Sequence, residues 1–189
     1  MLNRVKTFLP YYLRTCWWVY DVKAAIVYYS KTGRTRQVAL YIERKLAESG
    51  IQTNTYEIRQ VREYSKWLLY LNPRVIYDTL SGRLVEIREL TGFNPEDFDV
   101  LILGTPIWIG RITPAMRSFI RQYRDKVTKP TACFTTSGLR RNYALKFKEI
   151  LESLGYKVIA YVSISNFNRD RSTIDYFVNK VIKYLRISK

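Results

Sequence analysis

Short apolar runs alternate with amphipathic segments along most of the chain, and this alternation predicts a parallel β-sheet covered by helices. The continuous runs AAIVYY at 24–29 and VLILG at 100–104 are typical of strands buried on both faces. Three further strands are predicted at 51–58, 130–135 and 157–164. The order is therefore β-α-β-(insert)-β-α-β-α-β-α, which favours an α/β fold of three layers, with helices on both faces of one sheet.

The intervening segments carry helix signals at their ends. Gly50 and Gly155 are typical C-terminal glycines of the helices after the first and fourth strands. Thr113 and Pro114 are the expected N-cap and first residue of the helix after the third strand. The last helix is expected to bury one apolar face, formed by Ile174, Phe177, Val178, Val181, Ile182 and Leu185.

An N-terminal extension, residues 1–22, precedes the first strand, and residues 23–189 are expected to form one domain. Within the extension, residues 7–20 are apolar and aromatic but are interrupted by Pro10 and Arg14. A membrane helix needs about 20 uninterrupted apolar residues, and the segment lacks the small-residue cleavage site of a signal peptide. We expect it to pack on the domain or on a second subunit, with an anionic membrane surface as the alternative.

An insert at 59–97 is longer than a single crossover helix requires. Residues 62–71 are predicted to be helical, and a second helix is expected to begin at Asn72 and end near Gly82. Residues 83–90 are predicted to form a strand or an extended arm. Neither this insert nor the extension carries the signs of a domain boundary.

The composition narrows the possible chemistry. The chain has no histidine and two cysteines, Cys16 and Cys133. This excludes catalysis by a histidine acid or base, Ser-His-Asp triads and nearly all zinc sites, and we expect no metal site. The two thiols are expected to be reduced in a cytoplasmic protein. Difficult redox chemistry would then require a bound cofactor.

The charge balance is strongly basic. Thirty-two Lys and Arg residues against 16 Asp and Glu residues give a formal net charge of +16. Such a field favours anionic partners, namely nucleic acid, acidic lipid, acidic protein or an anionic substrate. A solvated basic surface without a dedicated partner is the alternative.

Three polar turns that contain glycine follow predicted strands one, three and four, and all lie at the same edge of the sheet. The first, residues 30–35, enters a helix; it is typical of an anion-binding helix N-terminus and also of plain helix capping. The second, residues 104–114, places Trp108 either to stack on a planar ring or to fill the core. The third is residues 135–138. Their expected convergence favours one binding site.

These turns resemble those of the flavodoxin family and the related NAD(P)H-dependent FMN and quinone reductases. SKTGRT at 30–35 matches the family pattern of hydroxyl residue, any residue, Thr, Gly, any residue, Thr. LILGTPIWIGRITPAMRSFI at 101–120 and ACFTTSG at 132–138 are similar to the third and fourth strands with their flavin-contacting loops. The resemblance covers residues 24–186 and implies a five-stranded sheet of order 2-1-3-4-5, with FMN where the strand order reverses.

The resemblance also implies three sets of FMN-binding residues. The phosphate would be bound by Ser30, Thr32, Gly33, Arg34 and Thr35. The isoalloxazine ring would be lined by Thr105, Pro106, Ile107, Trp108 and Gly110. The other side of the ring would be closed by Thr136, Ser137 and Gly138. No side chain stands out as a catalytic acid or base.

The chain also departs from the family pattern. Family electron carriers are usually acidic, and neither the insert nor the N-terminal extension belongs to the pattern. Arg34 stands where Asn or another small residue is frequent. Arg111, Arg140 and Arg141 border the ring-contacting loops and are candidates to bind an anionic substrate or partner, with ordinary solvated side chains as the alternative.

The sequence thus predicts an FMN-binding flavoprotein that acts in electron or hydride transfer. It would be either an oxidoreductase with NAD(P)H as donor or a carrier served by a redox partner protein, which the charge suggests is acidic; a homodimer is compatible with both. Two alternatives stay open: a basic flavodoxin-fold module that binds nucleic acid or a membrane surface without flavin, and a relative of flavodoxin-like protoporphyrinogen oxidases.

Overall fold

Six strands form one sheet in the computed structural model, which describes residues 22–65 and 71–187. The three central strands of the sheet are buried along most of their length, as their apolar runs require. The strands are β1 (Lys23–Tyr28), β2 (Gln52–Glu57), β3 (Val100–Trp108), β4 (Arg111–Ile112), β5 (Thr131–Thr136) and β6 (Val158–Ile164).

Five α-helices of the described part of the chain cover the sheet. They are α1 (Arg34–Glu48), α2 (Pro73–Leu80), α3 (Pro114–Gln122), α4 (Tyr143–Ser153) and α5 (Arg171–Ile187). Helices α1 and α5 bury their apolar faces against one side of the sheet. Helices α3 and α4, together with the insert, bury theirs against the other side. The α/β class with helices on both faces of a parallel sheet is confirmed.

The strand order differs in one respect from the predicted five-stranded order 2-1-3-4-5. Five parallel strands lie in the order β2-β1-β3-β5-β6, and the short β4 pairs antiparallel with the end of β3. Strand β3 continues to Trp108, reverses at Ile109 and Gly110, and pairs Trp108 with Arg111. Both turn residues have positive φ angles, 48° and 73°, as a two-residue type I′ hairpin turn requires.

The insert is only partly as predicted. Helix α2 begins after Asn72, whose side chain accepts a hydrogen bond from the Arg74 amide, so the predicted second helix is confirmed. The predicted helix at 62–71 is wrong for residues 62–65, which are not helical, and residues 66–70 lie outside the described part. Residues 83–90 form an extended arm, joined to the chain after β2 by the bridge between Gln60 and Ile87.

Several expectations concern parts of the chain that the structure does not describe. The interpretations of residues 1–21, including Cys16, lie outside the described residues. Cys133 is a free thiol in β5, and burial raises its pKa. Among the described helices, none combines the length and apolar character needed to cross a membrane.

Candidate functional site

The three predicted turns meet at one edge of the sheet because the strands that precede them lie side by side in register. Tyr28 at the end of β1 is opposite Gly104 of β3. Pro106 of β3 is opposite Thr136 of β5. The first and third turns also touch directly, since the hydroxyl oxygens of Thr35 and Thr136 lie 2.8 Å apart. The expected convergence of the three turns is therefore present in the fold.

The first turn ends at a helix whose N-cap residue has no side chain to accept hydrogen bonds from its first amides. Gly33 is the N-cap of α1, with φ 88°, and the first turn of α1 has no acidic residue. By contrast, the side chains of Asn72, Thr113 and Asn142 cap α2, α3 and α4. The first amide N–H groups of a helix carry a partial positive charge and need acceptors, so the start of α1 is suited to an anion.

The side chains of the first turn have different surroundings. The Ser30 hydroxyl accepts a hydrogen bond from the Arg36 amide at 3.2 Å. Thr32 and Arg34 are exposed, whereas Thr35 is buried and bonded to Thr136. The exposed hydroxyl and guanidinium groups are therefore available to a ligand at the start of α1 without rearrangement of the core.

The insert forms a second wall beside this turn. Lys31 Nζ donates to Glu63 Oε2 at 2.6 Å, and the other Glu63 oxygen accepts from the Gln60 amide at 2.9 Å. A cleft of about 690 Å³ lies between the turn and the insert, with Arg36 and Arg59 in its lining. Its size falls within the roughly 300–1,000 Å³ of typical ligand sites. Sequence reasoning missed Glu63, because no pattern indicates where the insert lies.

The second turn is built differently from the prediction. Thr105 is fully buried, and its hydroxyl lies 3.0 Å from that of Thr113, which ties β3 to the start of α3. Pro106 and Ile107 are half-buried, and Gly110 is exposed. Backbone and part of the side-chain surface of this turn thus face outward, whereas the Thr105 hydroxyl has a structural role.

The position of the Trp108 side chain differs from the predicted ring-stacking position. Its side chain is 1% exposed and lies in the core, with ring centroids 5.7 Å from those of both Tyr29 and Tyr64. The predicted stacking of its indole on a bound ring does not fit this position, and the alternative that Trp108 fills the core does. The physical reason is Tyr64, which the insert supplies and which closes the pocket around the indole.

Both tyrosines beside Trp108 are held as neutral phenols. Burial, followed by the charge of Glu63, raises the pKa of Tyr29. Burial, followed by a 2.9 Å hydrogen bond to Asp78, raises the pKa of Tyr64. These groups therefore support the floor of the site and offer no base at neutral pH.

Two apolar residues that sequence reasoning missed are exposed on the turns that flank the site. Ile109 is 43% exposed, next to Gly110, and Leu139 is 60% exposed, next to Gly138. Exposed apolar side chains beside a ligand site are typical contacts of a ligand with an apolar ring. The signal in the sequence was an aliphatic residue beside glycine in each loop.

In the third turn, Thr136 is buried, while Ser137 is half-buried and donates its hydroxyl to the Leu139 carbonyl at 2.6 Å. Gly138 is exposed. A cleft of about 410 Å³ separates this turn from Arg34 and the loop after β6. The third turn thus shares one edge of the site with the start of α1.

The three predicted partner-binding arginines do not form one cluster. Arg111 donates to the Leu80 carbonyl at 3.1 Å and faces a groove between α3 and α4. Arg140 and Arg141 are exposed and line a separate cleft of about 480 Å³ beside β6, with Tyr161 and Lys180. The basic surface is therefore divided between two sides of the candidate site.

The family comparison agrees with this geometry. The family described as Flavodoxin domain matches residues 74–170, which is just over half of the chain. The chain belongs to the flavodoxin domain family. The matched part of this flavodoxin domain includes two of the three turns and the helices that follow them.

Solved structures agree on the fold. A flavoprotein from Lactobacillus acidophilus NCFM, determined in complex with FMN, has a TM-score of 0.63 at 19% identity. The match covers 82% of the present chain and 98% of the Lactobacillus protein. A flavodoxin from the domain Archaea has a TM-score of 0.58 at 12% identity, covering 87% and 99%.

The match to rubredoxin oxygen:oxidoreductase from Desulfovibrio gigas has a TM-score of 0.61 at 15% identity and covers 87% of this chain but 36% of that one. No curated protein sequence matches the chain. At such low identities the structural likeness concerns the fold alone.

Proposed function

We propose that this flavodoxin domain binds FMN at the carboxyl ends of β1, β3 and β5 and uses it to transfer electrons or hydride. The observation that carries the proposal is the start of α1, whose N-cap Gly33 has no side chain and whose first turn has no acidic residue, placed beside two further loops with exposed apolar residues. The FMN-containing flavoprotein of the same fold supports the choice of ligand. Bound FMN would supply the redox chemistry, and the protein would bind and orient it.

The donor groups of the first turn fit a dianionic phosphate. Gly33 removes the side chain at the point where the backbone approaches most closely, and the α1 amides supply N–H donors. Hydroxyl groups and one guanidinium complete the proposed phosphate site, which consists of Ser30, Thr32, Gly33, Arg34 and Thr35. Charge-assisted hydrogen bonds to phosphate are roughly twice as strong as neutral ones.

The other two turns fit a flat apolar ring with polar edges. We place the ring between the second turn, at Pro106, Ile107 and Gly110, and the third turn, at Ser137 and Gly138. Ile109 and Leu139 supply the exposed apolar surface on the two sides. Thr105, Trp108 and Thr136 act from below, as buried supports of the loops.

An equilibrium titration with FMN, followed by quenching of its fluorescence, tests the proposal. We expect saturable one-to-one binding and a flavin absorption spectrum in protein purified without added FMN. The variant Ser30→Ala/Thr32→Val removes two phosphate donors and is expected to weaken FMN binding by about tenfold. The matched variant Ser49→Ala/Thr53→Val lies at the opposite edge of the sheet, at the end of α1 and the start of β2, and should bind normally. Protein that binds no FMN would contradict the proposal.

The electron donor is a separate part of the proposal. A basic surface favours either NAD(P)H, whose phosphates are anionic, or an acidic redox partner. Stopped-flow mixing of the FMN-loaded protein with NADPH distinguishes these two electron donors. Rapid bleaching of the flavin absorbance identifies a reductase, whereas an unchanged spectrum identifies a carrier that needs a reducing partner protein.

A further inference from the structure

A groove of about 730 Å³ runs between α3 and α4 and opens at the turn that joins β3 to β4. Arg117 and Arg121 stand one helical turn apart on α3, and Lys146 and Ile150 stand one helical turn apart on α4. The groove therefore begins beside the proposed ring site and has a defined pair of facing walls.

The walls of the groove carry uncompensated positive charge. Among the described residues that line it, none is acidic and four are basic: Arg111, Arg117, Arg121 and Lys146. Burial, followed by the neighbouring charges of Arg111 and Arg121, lowers the pKa of Arg117. Like charges that line one groove favour a bound anion, because an anion relieves their repulsion.

Two of these cations are fixed in place by the backbone of the insert. Arg117 donates to the carbonyl oxygens of Asp78, Thr79, Arg83 and Ile112 at 3.2–3.4 Å. Arg111 donates to the Leu80 carbonyl. These carbonyls include the C-terminal end of α2, so both arginines are positioned by hydrogen bonds without losing their charge to a carboxylate. Arg121 and Lys146 are exposed and have no ion pair within the described residues.

The floor of the groove is apolar. Its aliphatic lining residues are Ile107, Ile109, Ile112, Ile120, Ile150 and Leu154. Ile109 holds a positive φ angle of 48°, which is unfavourable for a β-branched residue, and directs an exposed aliphatic side chain toward the groove mouth. An apolar floor and cationic walls together favour a ligand that has an apolar part and a negatively charged group.

We propose that this groove binds a small amphipathic anion, with its apolar body on the isoleucine floor and its negative group facing Arg121 and Lys146. Binding in the groove is independent of flavin. The further assignment of this anion as the substrate class of the flavin rests on the function proposed above, because the groove meets the proposed ring site at Ile109.

Other occupants of the groove are disfavoured by charge. Residues 1–21 contain three basic residues and one acidic residue, and residues 66–70 contain Lys66 and no acidic residue. A second copy of the chain carries the same net charge of +16. None of these complements four cations, whereas a small anion does.

The test uses two fluorescent probes on the full-length, flavin-free protein: 8-anilinonaphthalene-1-sulfonate, which is anionic, and N-phenyl-1-naphthylamine, which is uncharged. The variant Arg121→Ala/Lys146→Ala removes the two free cations of the groove. The control Lys183→Ala/Arg186→Ala removes the same charge from exposed positions on α5, on the opposite face of the sheet. Circular dichroism and thermal melting verify that both variants are folded.

We expect the anionic probe to bind the wild type saturably and to bind the groove variant about tenfold more weakly, a loss of about 1.4 kcal/mol. The control substitution should change the Kd of the anionic probe by less than about twofold. The Kd of the uncharged probe should be the same for the wild type and both double variants. Ile150→Ala should weaken both probes by a similar factor. Equal weakening of the anionic probe by both double variants, or absence of saturable binding, would overturn the proposal.

A final measurement separates this inference from the proposed function. If the anionic probe binds as expected and shifts the absorption spectrum of FMN-loaded protein, both the groove and its position beside the flavin are supported. If the probe binds as expected but the protein takes up no FMN, the groove is supported and the assignment as a flavin substrate is overturned.

Discussion

Gly33 and Ile109 both have positive φ angles, 88° and 48°, and each lies at an edge of the candidate site. Glycine adopts this conformation without strain, so Gly33 is matched to the start of α1. Isoleucine does not, and a residue held in this region at a loop tip is typical of functional positions. At the residue scale, the site is thus shaped by backbone conformation as much as by side chains.

The substitution Gly33→Ala tests the role of this conformation. A side chain at positive φ costs about 1–2 kcal/mol in the free energy of unfolding, and it would also crowd the proposed phosphate position. Gly155→Ala is a matched control, because Gly155 has φ 90° and closes α4 away from the site. We expect similar losses in urea unfolding for both variants but weaker FMN binding for Gly33→Ala alone. Equal FMN affinities would contradict the phosphate assignment.

The substitution Ile109→Asn tests whether the positive φ angle of Ile109 is strained. It creates Asn-Gly, the preferred sequence of a type I′ turn, and should raise the free energy of unfolding by about 1 kcal/mol. It also removes exposed apolar surface, so FMN binding should weaken. Leu139→Asn removes similar surface at a residue without positive φ and should weaken FMN binding with no gain in stability. An unchanged stability of Ile109→Asn in thermal and urea unfolding would show that the turn is not strained.

At the element scale, the core elements were predictable and the insert was not. Apolar runs and end signals such as Thr113 with Pro114 depend on local patterns, and they predicted the five parallel strands and α3. Strand β4 depends on an Ile-Gly turn that lacks the usual hairpin sequence, so it was missed. The sequence pattern predicted a helix that includes residues 62–65. These residues are not helical in the structure, where Tyr64 contacts Trp108 and Glu63 accepts a hydrogen bond from Lys31.

The same distinction applies to the site. The backbone turns were predicted because strands in a parallel sheet end at the same edge. The position of the Trp108 side chain was not, because its contact with Tyr64 is distant in sequence. Local sequence specifies which loops meet, whereas tertiary packing specifies which of their side chains face outward.

The connection from β6 to α5 provides a pH-dependent prediction at this scale. Asp170 Oδ2 accepts hydrogen bonds from the amides of Ser165 and Asn166 and from the Ser165 hydroxyl, at 2.7, 2.9 and 3.0 Å. Burial alone would raise the pKa of Asp170, but these hydrogen bonds outweigh it and hold the pKa below its ordinary value. The carboxylate therefore stabilises the fold above the unfolded pKa, and this contribution is lost as pH falls through the folded pKa.

Asp170→Asn is accordingly expected to lower the free energy of unfolding at pH 7 by about 1–3 kcal/mol. The difference from the wild type should shrink as pH falls below the ordinary pKa of an unfolded Asp, about 3.9, and through the lower pKa of the folded protein. Asp125→Asn is the control, since Asp125 is highly exposed and forms a surface ion pair with Arg124. Urea unfolding at several pH values measures the effect; a difference between Asp170→Asn and wild type that is independent of pH would contradict the charge assignment.

At the scale of the whole molecule, a flavodoxin domain with a net charge of +16 combines a familiar fold with a basic surface. The fold brings three loops to one edge, and the insert adds the wall at Glu63 and fixes Arg117. Basic residues line the cleft at the first turn, the cleft beside β6 and the groove between α3 and α4. A basic surface of this kind favours anionic reactants and should make their association sensitive to salt.

The most direct test of the account compares FMN with riboflavin, which has the same ring and lacks the phosphate. If the start of α1 at Gly33 binds the phosphate, the wild type should bind FMN about 100-fold more tightly than riboflavin, or about 2.7 kcal/mol, from two or more charge-assisted hydrogen bonds. Isothermal titration calorimetry of both ligands measures the ratio. Equal affinities for FMN and riboflavin, or binding of neither, would contradict the account.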